Sequence, residues 1–209
     1  EHSWFLENLT EHSKKLYEIT KRITDLVLAI IGLICSIFVA PIVAIIIKLE
    51  SPGPIIFKQI RTGKNGRTFK AMKFRSMVNN AEKNGAQWAQ KNDPRVTKFG
   101  LFMRKTRLDE IPQLVNVLKG EMSFVGPRPE RPEFIEILEK EIPFYKERLL
   151  VKPGLVGWAQ LNGPAYGGSK EETLEKVKYD LYYIKNRSLL LDLNILLKTI
   201  RLIFGGKGQ

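Results

Sequence analysis

The sequence predicts an α/β fold: a small mixed domain with a β-hairpin and amphipathic helices, anchored by an N-terminal re-entrant (helix–break–helix) membrane hairpin. Three observations predict it. Leu26 to Ile47, "LVLAIIGLICSIFVAPIVAIII", is twenty-two residues without a charge, interrupted by Pro41. Ile55–Ile60 and Thr68–Phe74 are short β-prone runs joined across an Asn-Gly turn. Several later segments carry apolar residues at helical spacing.

The uncharged run comes first. As a straight helix it would reach roughly 33 Å, enough to cross the hydrocarbon core of a bilayer. It is too long for a signal peptide, is not at the extreme N-terminus, and no small-residue cleavage site follows it. Pro41 removes a backbone hydrogen bond and clashes with the preceding turn, at about 3 kcal/mol in a regular helix. Ser36 offers a hydroxyl for a freed carbonyl. Lys14, Lys15, Lys21 and Arg22 precede the run, and Lys48, Lys58, Arg61 and Lys64 follow it. Cytoplasmic flanks are the Lys- and Arg-rich ones, so both ends are best kept on that side. A helix broken at Pro41, entering and leaving one leaflet over about residues 24–48, does this. An ordinary tilted span that tolerates the proline is the competing reading.

Beyond the run, "SPGP" (Ser51–Pro54) breaks the chain before the predicted hairpin. Residues 79–94 are polar and without period, a surface loop. Val96–Arg107 is helical in part through Phe99, Phe102 and Met103. Ile111, Leu114, Val115 and Leu118 share one helix face, and Gly120 is placed as a C-cap. Glu133–Ile142 is amphipathic and stopped by Pro143; Glu171–Lys185 and Leu189–Phe204 also read as helices. The last is apolar nearly all round, suited to a core or to a membrane interface. The 209 residues form one domain, with the part from about 51 to 209 on the cytoplasmic side.

Composition excludes several classes of chemistry. The single cysteine, Cys35, forms no internal disulfide, and no Cys/His cluster has zinc spacing. Both histidines, His2 and His12, lie in the polar N-terminal stretch, which argues against a histidine-based triad. The first residue is Glu, so the chain reads as a processed or truncated piece. Net charge is +12, and residues 51–110 hold fourteen Lys and Arg against four Asp and Glu. Such a block alone suggests a solvated face or attraction to anionic lipid or nucleic acid. A membrane-tethered nucleic-acid-binding module using this block is therefore the alternative function; it would need aromatics for base stacking, and the block holds Phe57, Phe69, Phe74, Trp88, Phe99 and Phe102, though several fall on strand or helix core positions.

The block ends in the acidic pair Asp109–Glu110. Pro112 is tolerated only in the first turn of a helix, so the helix through Ile111–Leu118 starts near Asp109. As N-cap, Asp109 would see the helix dipole and flanking cations and be ionised at neutral pH, a competent oxygen nucleophile or metal ligand. The bland alternative is a plain cap. Arg104, Arg107 and Arg128 lie close in sequence, and Arg128 is held between prolines in "GPRP". Rigidly held arginines suit phosphate oxygens.

With these residues in place, the sequence resembles the monotopic phosphoglycosyl transferases, a bacterial sugar transferase family acting on polyprenol phosphate. The resemblance runs from about Ile23 onward through "APIVAIIIKLESPGPIIFKQIRTGKNGRTFKAMKFRSM", "DPRVTKFGLFMRKTRLDEIPQLVNVLKGEMSFVGPRP", "VKPGLVGWAQLNG" and "YDLYYIKNRSLLLDL". It implies a catalytic domain on a re-entrant helix at the cytoplasmic face of the bacterial inner membrane. The implied reaction moves a sugar-1-phosphate from a UDP-sugar to polyprenol (undecaprenyl) phosphate and releases UMP. This is the first membrane step of exopolysaccharide or lipopolysaccharide assembly. The resemblance makes Asp109 the nucleophile that carries the phosphosugar and Glu110 its partner in the acceptor step, with Mg²⁺ on both. It makes Lys73, Arg104 and Arg128 basic site residues, and Pro127 to Pro129 the nucleotide-side loop. Arg75 and Arg107 are counted with them as substrate-binding candidates. Hexoses are favoured over N-acetylated sugars as donor, and no nucleic acid is expected. "RPERPEF" (Arg128–Phe134) resembles the larger, multi-domain members, so N-terminal membrane helices are expected to be missing here and homo-oligomerisation is left open.

Overall fold

The computed structural model of the chain describes residues 11–79, 81, 93–164 and 169–204. Most of the polar stretch at 79–94, Trp88 included, lies outside the described residues, as does His2.

The uncharged run belongs to one helix of forty residues, α1 (Glu11–Glu50). By length and composition α1 could cross a membrane. The break expected at Pro41 is replaced by continuous helix with the proline inside it. A proline deletes one i→i−4 bond, here to the carbonyl of Ile37, and the neighbouring turns keep theirs. Ser36 does not serve that carbonyl; its hydroxyl donates to Leu33 O at 2.7 Å. On either side of the proline, Ala40 before it and Val43 and Ile47 after it pack with Phe74 and Met103, which favours continued helix.

One stripe of α1 is fastened to the rest of the protein. Lys21 pairs with Asp192 at 2.7 Å. Arg22 donates to the carbonyls of Val117 and Leu118 at 2.7 and 2.8 Å. Buried Asp25 accepts the N–H of Phe124 at 3.1 Å, and Ala29 and Leu33 enter the core beside Leu114. These positions recur at helical spacing, so the remaining circumference carries Ile30, Ile34, Phe38, Ile42, Ile45 and Leu49 exposed. An apolar surface this extensive marks a membrane or partner contact.

Strands β1 (Ile56–Thr62) and β2 (Thr68–Phe74) form the expected antiparallel hairpin, with Ile56 opposite Phe74 and Thr62 opposite Thr68. Asn65 and Gly66 take the left-handed conformations that the tight turn needs (φ 57° and 77°). Helix α2 (Lys98–Thr106) is capped by the Thr97 hydroxyl, which accepts from Gly100 N at 2.9 Å. Helix α3 (Gln113–Lys119) stops at Gly120, whose φ of 80° is the left-handed C-cap the sequence predicts.

The next strands leave no visible pattern in the sequence. β3 (Ser123–Val125) and β4 (Gly154–Val156) are three residues each and pair in parallel, Ser123 with Gly154 and Val125 with Val156. A Cβ on Gly154 would lie 2.1 Å from Gly126 N, so only glycine permits this backbone approach. The approach brings the Pro127–Pro129 loop onto the domain. Helix α4 (Pro132–Glu141) follows β3; α5 (Trp158–Asn162), α6 (Lys170–Asn186) and α7 (Leu189–Phe204) complete the fold. A reciprocal Ser169–Glu172 capping box starts α6. Helix α7 buries Ile195 and exposes Leu190, Leu193, Leu197 and Ile200; α2 likewise exposes Leu101 and Phe102. Phe69 and Phe74, stacking candidates in the nucleic-acid reading, are core residues.

Candidate active site

The site is built where α2 turns into α3. Arg107 adopts the left-handed conformation (φ 59°), ends α2 and starts a 3₁₀ turn, Leu108–Glu110. Asp109 is therefore not the N-cap of α3, which begins at Gln113 after Pro112. Among the described residues no hydrogen bond to the Asp109 carboxylate is present, although its side chain is only 7% exposed. The plain-cap reading fails on this geometry.

Both carboxylates face the end of β2. Lys73 Nζ donates to Glu110 Oε1 at 2.8 Å and stands 3.9 Å from Asp109 Oδ2. Arg128 Nη2 reaches Glu110 Oε1 at 3.0 Å, and Arg107 Nη1 reaches Glu110 Oε2 at 3.3 Å. Arg104 is steadied by Ser76, to which its Nε donates at 3.0 Å, and its charge acts on Asp109. Lys73, Arg104, Arg107 and Arg128 are thus gathered around the pair, from segments up to fifty-five positions apart. Asn116 keeps this geometry in register. It is fully buried, accepts Met72 N at 3.1 Å and donates to Lys70 O at 2.9 Å, tying α3 to the strand that carries Lys73. Sequence reasoning missed Asn116 because it lies off the apolar stripe of α3 and reads as a surface residue.

The two acids divide the electrostatics. Burial would raise Glu110, but Lys73, Arg128 and Arg107 outweigh it and hold this carboxyl far below the usual range. Asp109 moves upward: burial dominates, Lys73 opposes it, and the charge on Glu110 adds to the rise. Lys73 is lowered, by burial first, against the pull of Glu110. Glu110 is the permanently ionised anchor for the cations. Asp109 is the more basic and less engaged carboxylate, the better nucleophile of the two.

Among the described residues no group of three or more His, Cys, Asp or Glu converges on a metal position. A hard divalent cation would find carboxylate oxygen on Asp109 and Glu110, a small donor set that suits Mg²⁺, since that ion keeps waters and shares substrate phosphates. Asp109 is open to such a ligand; on Glu110 the ion would compete with Lys73, Arg107 and Arg128.

Arg75 is the sequence candidate placed elsewhere. Strand β2 ends at Phe74, so the alternation that would set Arg75 beside Lys73 does not extend to it. Its buried guanidinium donates to Ser51 O at 2.6 Å, Pro52 O at 2.8 Å and Ile47 O at 3.5 Å, closing the C-terminal end of α1. Arg75→Met is expected to destabilise the protein by about 2–4 kcal/mol through these lost charged bonds. Thermal unfolding in detergent checks this; activity per folded molecule should stay near the parent's.

An exposed apolar helix face and a carboxylate pair ringed by lysine and arginine define a protein class that comparison identifies. Residues 16–206 match the model of the bacterial sugar transferases, and the chain belongs to that family. It is 48% identical over 193 residues to the UDP-N-acetylgalactosamine-undecaprenyl-phosphate N-acetylgalactosaminephosphotransferase of Aeromonas hydrophila, covering 92% of this chain and 45% of that protein. It is 45% identical over 181 residues to the UDP-glucose:undecaprenyl-phosphate glucose-1-phosphate transferase of Escherichia coli (strain K12), covering 86% and 39%. An exopolysaccharide production protein of Rhizobium leguminosarum bv. phaseoli is 42% identical over 165 residues, covering 76% and 82%. The chain thus spans less than half the length of the first two relatives and most of the third.

Proposed function

We propose that the protein transfers a sugar-1-phosphate from a UDP-sugar to undecaprenyl phosphate, with the phosphosugar carried in between on Asp109. The observation that carries this is the division of labour in the pair: Glu110 absorbs the cations while Asp109 stays buried, unbonded and next to Lys73. An Asp109 oxygen attacks the β-phosphorus, the bond from that phosphorus to the bridging oxygen breaks, and UMP leaves with the electron pair. A phosphate oxygen of the polyprenol then attacks the same phosphorus and returns Asp109 as a carboxylate. The sugar C1–O bond is never broken. Lys73, Arg104 and Arg128 neutralise the diphosphate, without which two anions would repel. Mg²⁺ held through Asp109, with Glu110 beside it, would add positive charge at the same oxygens.

Membrane topology belongs to the same proposal. Both ends of α1 are tied to one domain, by Lys21–Asp192 at the start and by Arg75 at the end. This supports an unbroken helix held along one side of the membrane, with the domain on the cytoplasmic face of the inner membrane. Reporters at Ser13 and Gly66 are expected to be labelled from one side only; labelling from opposite sides would refute it.

The relatives named above differ in their sugar, so the donor screen covers UDP-glucose, UDP-galactose and both UDP-N-acetylhexosamines. With undecaprenyl phosphate in nanodiscs, one of them should release UMP in step with lipid-linked product. Release of UDP would mean transfer of the sugar without its phosphate and would overturn the proposal.

A further inference from the structure

A guanidinium that neutralises the diphosphate, as Arg128 does in the proposed reaction, acts as a clamp only if its own backbone is held. Its loop is poor in donors, because Pro127 and Pro129 have no N–H. It is pinned instead through consecutive carbonyls. Pro127 O accepts from Gly154 N at 2.9 Å, Pro129 O from Arg61 Nη1 at 3.0 Å, and Glu130 O from Thr62 N at 2.9 Å. The carbonyl of Arg128 itself accepts from Arg148 Nη2 at 2.9 Å.

Arg148 differs from the other donors in being a buried charge. Its side chain is 9% exposed, and it pairs at 2.8 Å with Asp180, which is 2% exposed. Its Nη1 donates to Tyr145 OH at 2.7 Å, and its guanidinium lies 5.1 Å from the centre of that ring. A buried ion pair is weak support for stability, since well-packed apolar residues of similar volume are commonly as stable or more so. What apolar residues cannot do is donate to Arg128 O.

We propose that Arg148 and Asp180 are positioning residues for the transfer reaction: Asp180 orients Arg148, Arg148 pins the backbone of Arg128, and the Arg128 side chain is thereby aimed at Glu110 and the substrate phosphate. Neither residue touches the reacting atoms. Asp180 comes from α6, on the far side of the loop, so the inference links that helix to the carboxylate pair. It rests on the proposed function only for its kinetic readout.

The test is Arg148→Met/Asp180→Leu, which replaces the pair by apolar groups. It is expected to fold with a thermal midpoint close to the parent's, and to lose about ten- to a hundredfold in kcat/KM for the UDP-sugar, as small misplacements of a binding group do. In an Arg128→Lys background the same double change should cost little more, because the clamp it serves is already lost. Hydrogen exchange across Gly126–Glu130 should quicken while that of α3 stays unchanged. Arg148→Lys keeps the charge and the pairing with Asp180 but loses the planar fork. It is the variant to use if the apolar pair fails to fold, and it should show the same kinetic loss. Parent-like kinetics in a folded variant, a full additional loss in the Arg128→Lys background, or unchanged exchange in the loop would each overturn the proposal. If the parent releases no UMP from any donor, the functional reading fails, and loop exchange alone decides the positioning role.

Discussion

Asp109→Asn is expected to abolish both the covalent adduct and turnover, with a loss of at least about a thousandfold. The side chain keeps its size and loses the attacking oxygen's charge. Incubation with the productive UDP-sugar and Mg²⁺, without polyprenol phosphate, should add one sugar phosphate to the parent by intact mass and nothing to the variant. Stability should move differently from activity. Because burial raises Asp109, the folded state disfavours its charged form, and stability from this group is fully present only below its unfolded pKa. At neutral pH the parent carries that penalty and a neutral Asn does not. The variant's thermal midpoint should therefore match or exceed the parent's. Turnover near the parental rate would return Asp109 to a structural role. A collapse in stability would show instead that its charge holds the fold together.

Glu110→Gln should cut turnover by about a hundred- to a thousandfold, since one residue organises three cations. The amide keeps one acceptor oxygen and turns its NH2 to the other side, so it can serve Lys73 and Arg128, or Arg107, but not all three, and it carries no charge for any of them. Some adduct should still form, because Asp109 is intact. The pH profile gives the sharper readout. In the parent, the acid limb of kcat/KM should lie above the ordinary aspartate range, since Asp109 must be ionised to attack and its pKa is raised. The charge on Glu110 contributes to that rise. Removing it, and leaving Lys73 with Asp109 alone, lowers the Asp109 pKa and moves the acid limb to lower pH. An acid limb that stays put or moves up would show that some other group limits the reaction.

Much of the fold is legible in the order of the residues. β2 has its expected bounds, α7 runs over the expected span, and Gly120 ends α3 as its position implies. These features depend on turn chemistry and on periodicity within one segment. The pair β3–β4 is not legible, because three residues are too few for a pattern and the pairing joins positions about thirty apart. A break at Pro41 over-reads the proline: its cost is weighed without the packing of Ala40, Val43 and Ile47 around it. In the site, the acidic pair and the proline-bracketed arginine can be found by their local chemistry. Lys73 and Arg75 carry the same sign two positions apart, and nothing local distinguishes them.

The sequence by itself determined that the chain carries an uncharged helical run long enough to cross a membrane, that a hairpin follows it, and that Asp109, Glu110 and Arg128 stand near one another along the chain. Those are consequences of covalent spacing, turn residues and side-chain polarity. Only the tertiary structure decided which acid receives the hydrogen bonds of the cations, and so that Glu110 anchors them while Asp109 keeps only the longer ion pair with Lys73 among the described residues. It alone sent Arg75 to the end of α1 and set Asn116, Arg148 and Asp180 behind the site. The physical reason is that burial and charge act through space. Whether a carboxylate is raised or lowered depends on which distant residues packing brings within a few ångströms of it.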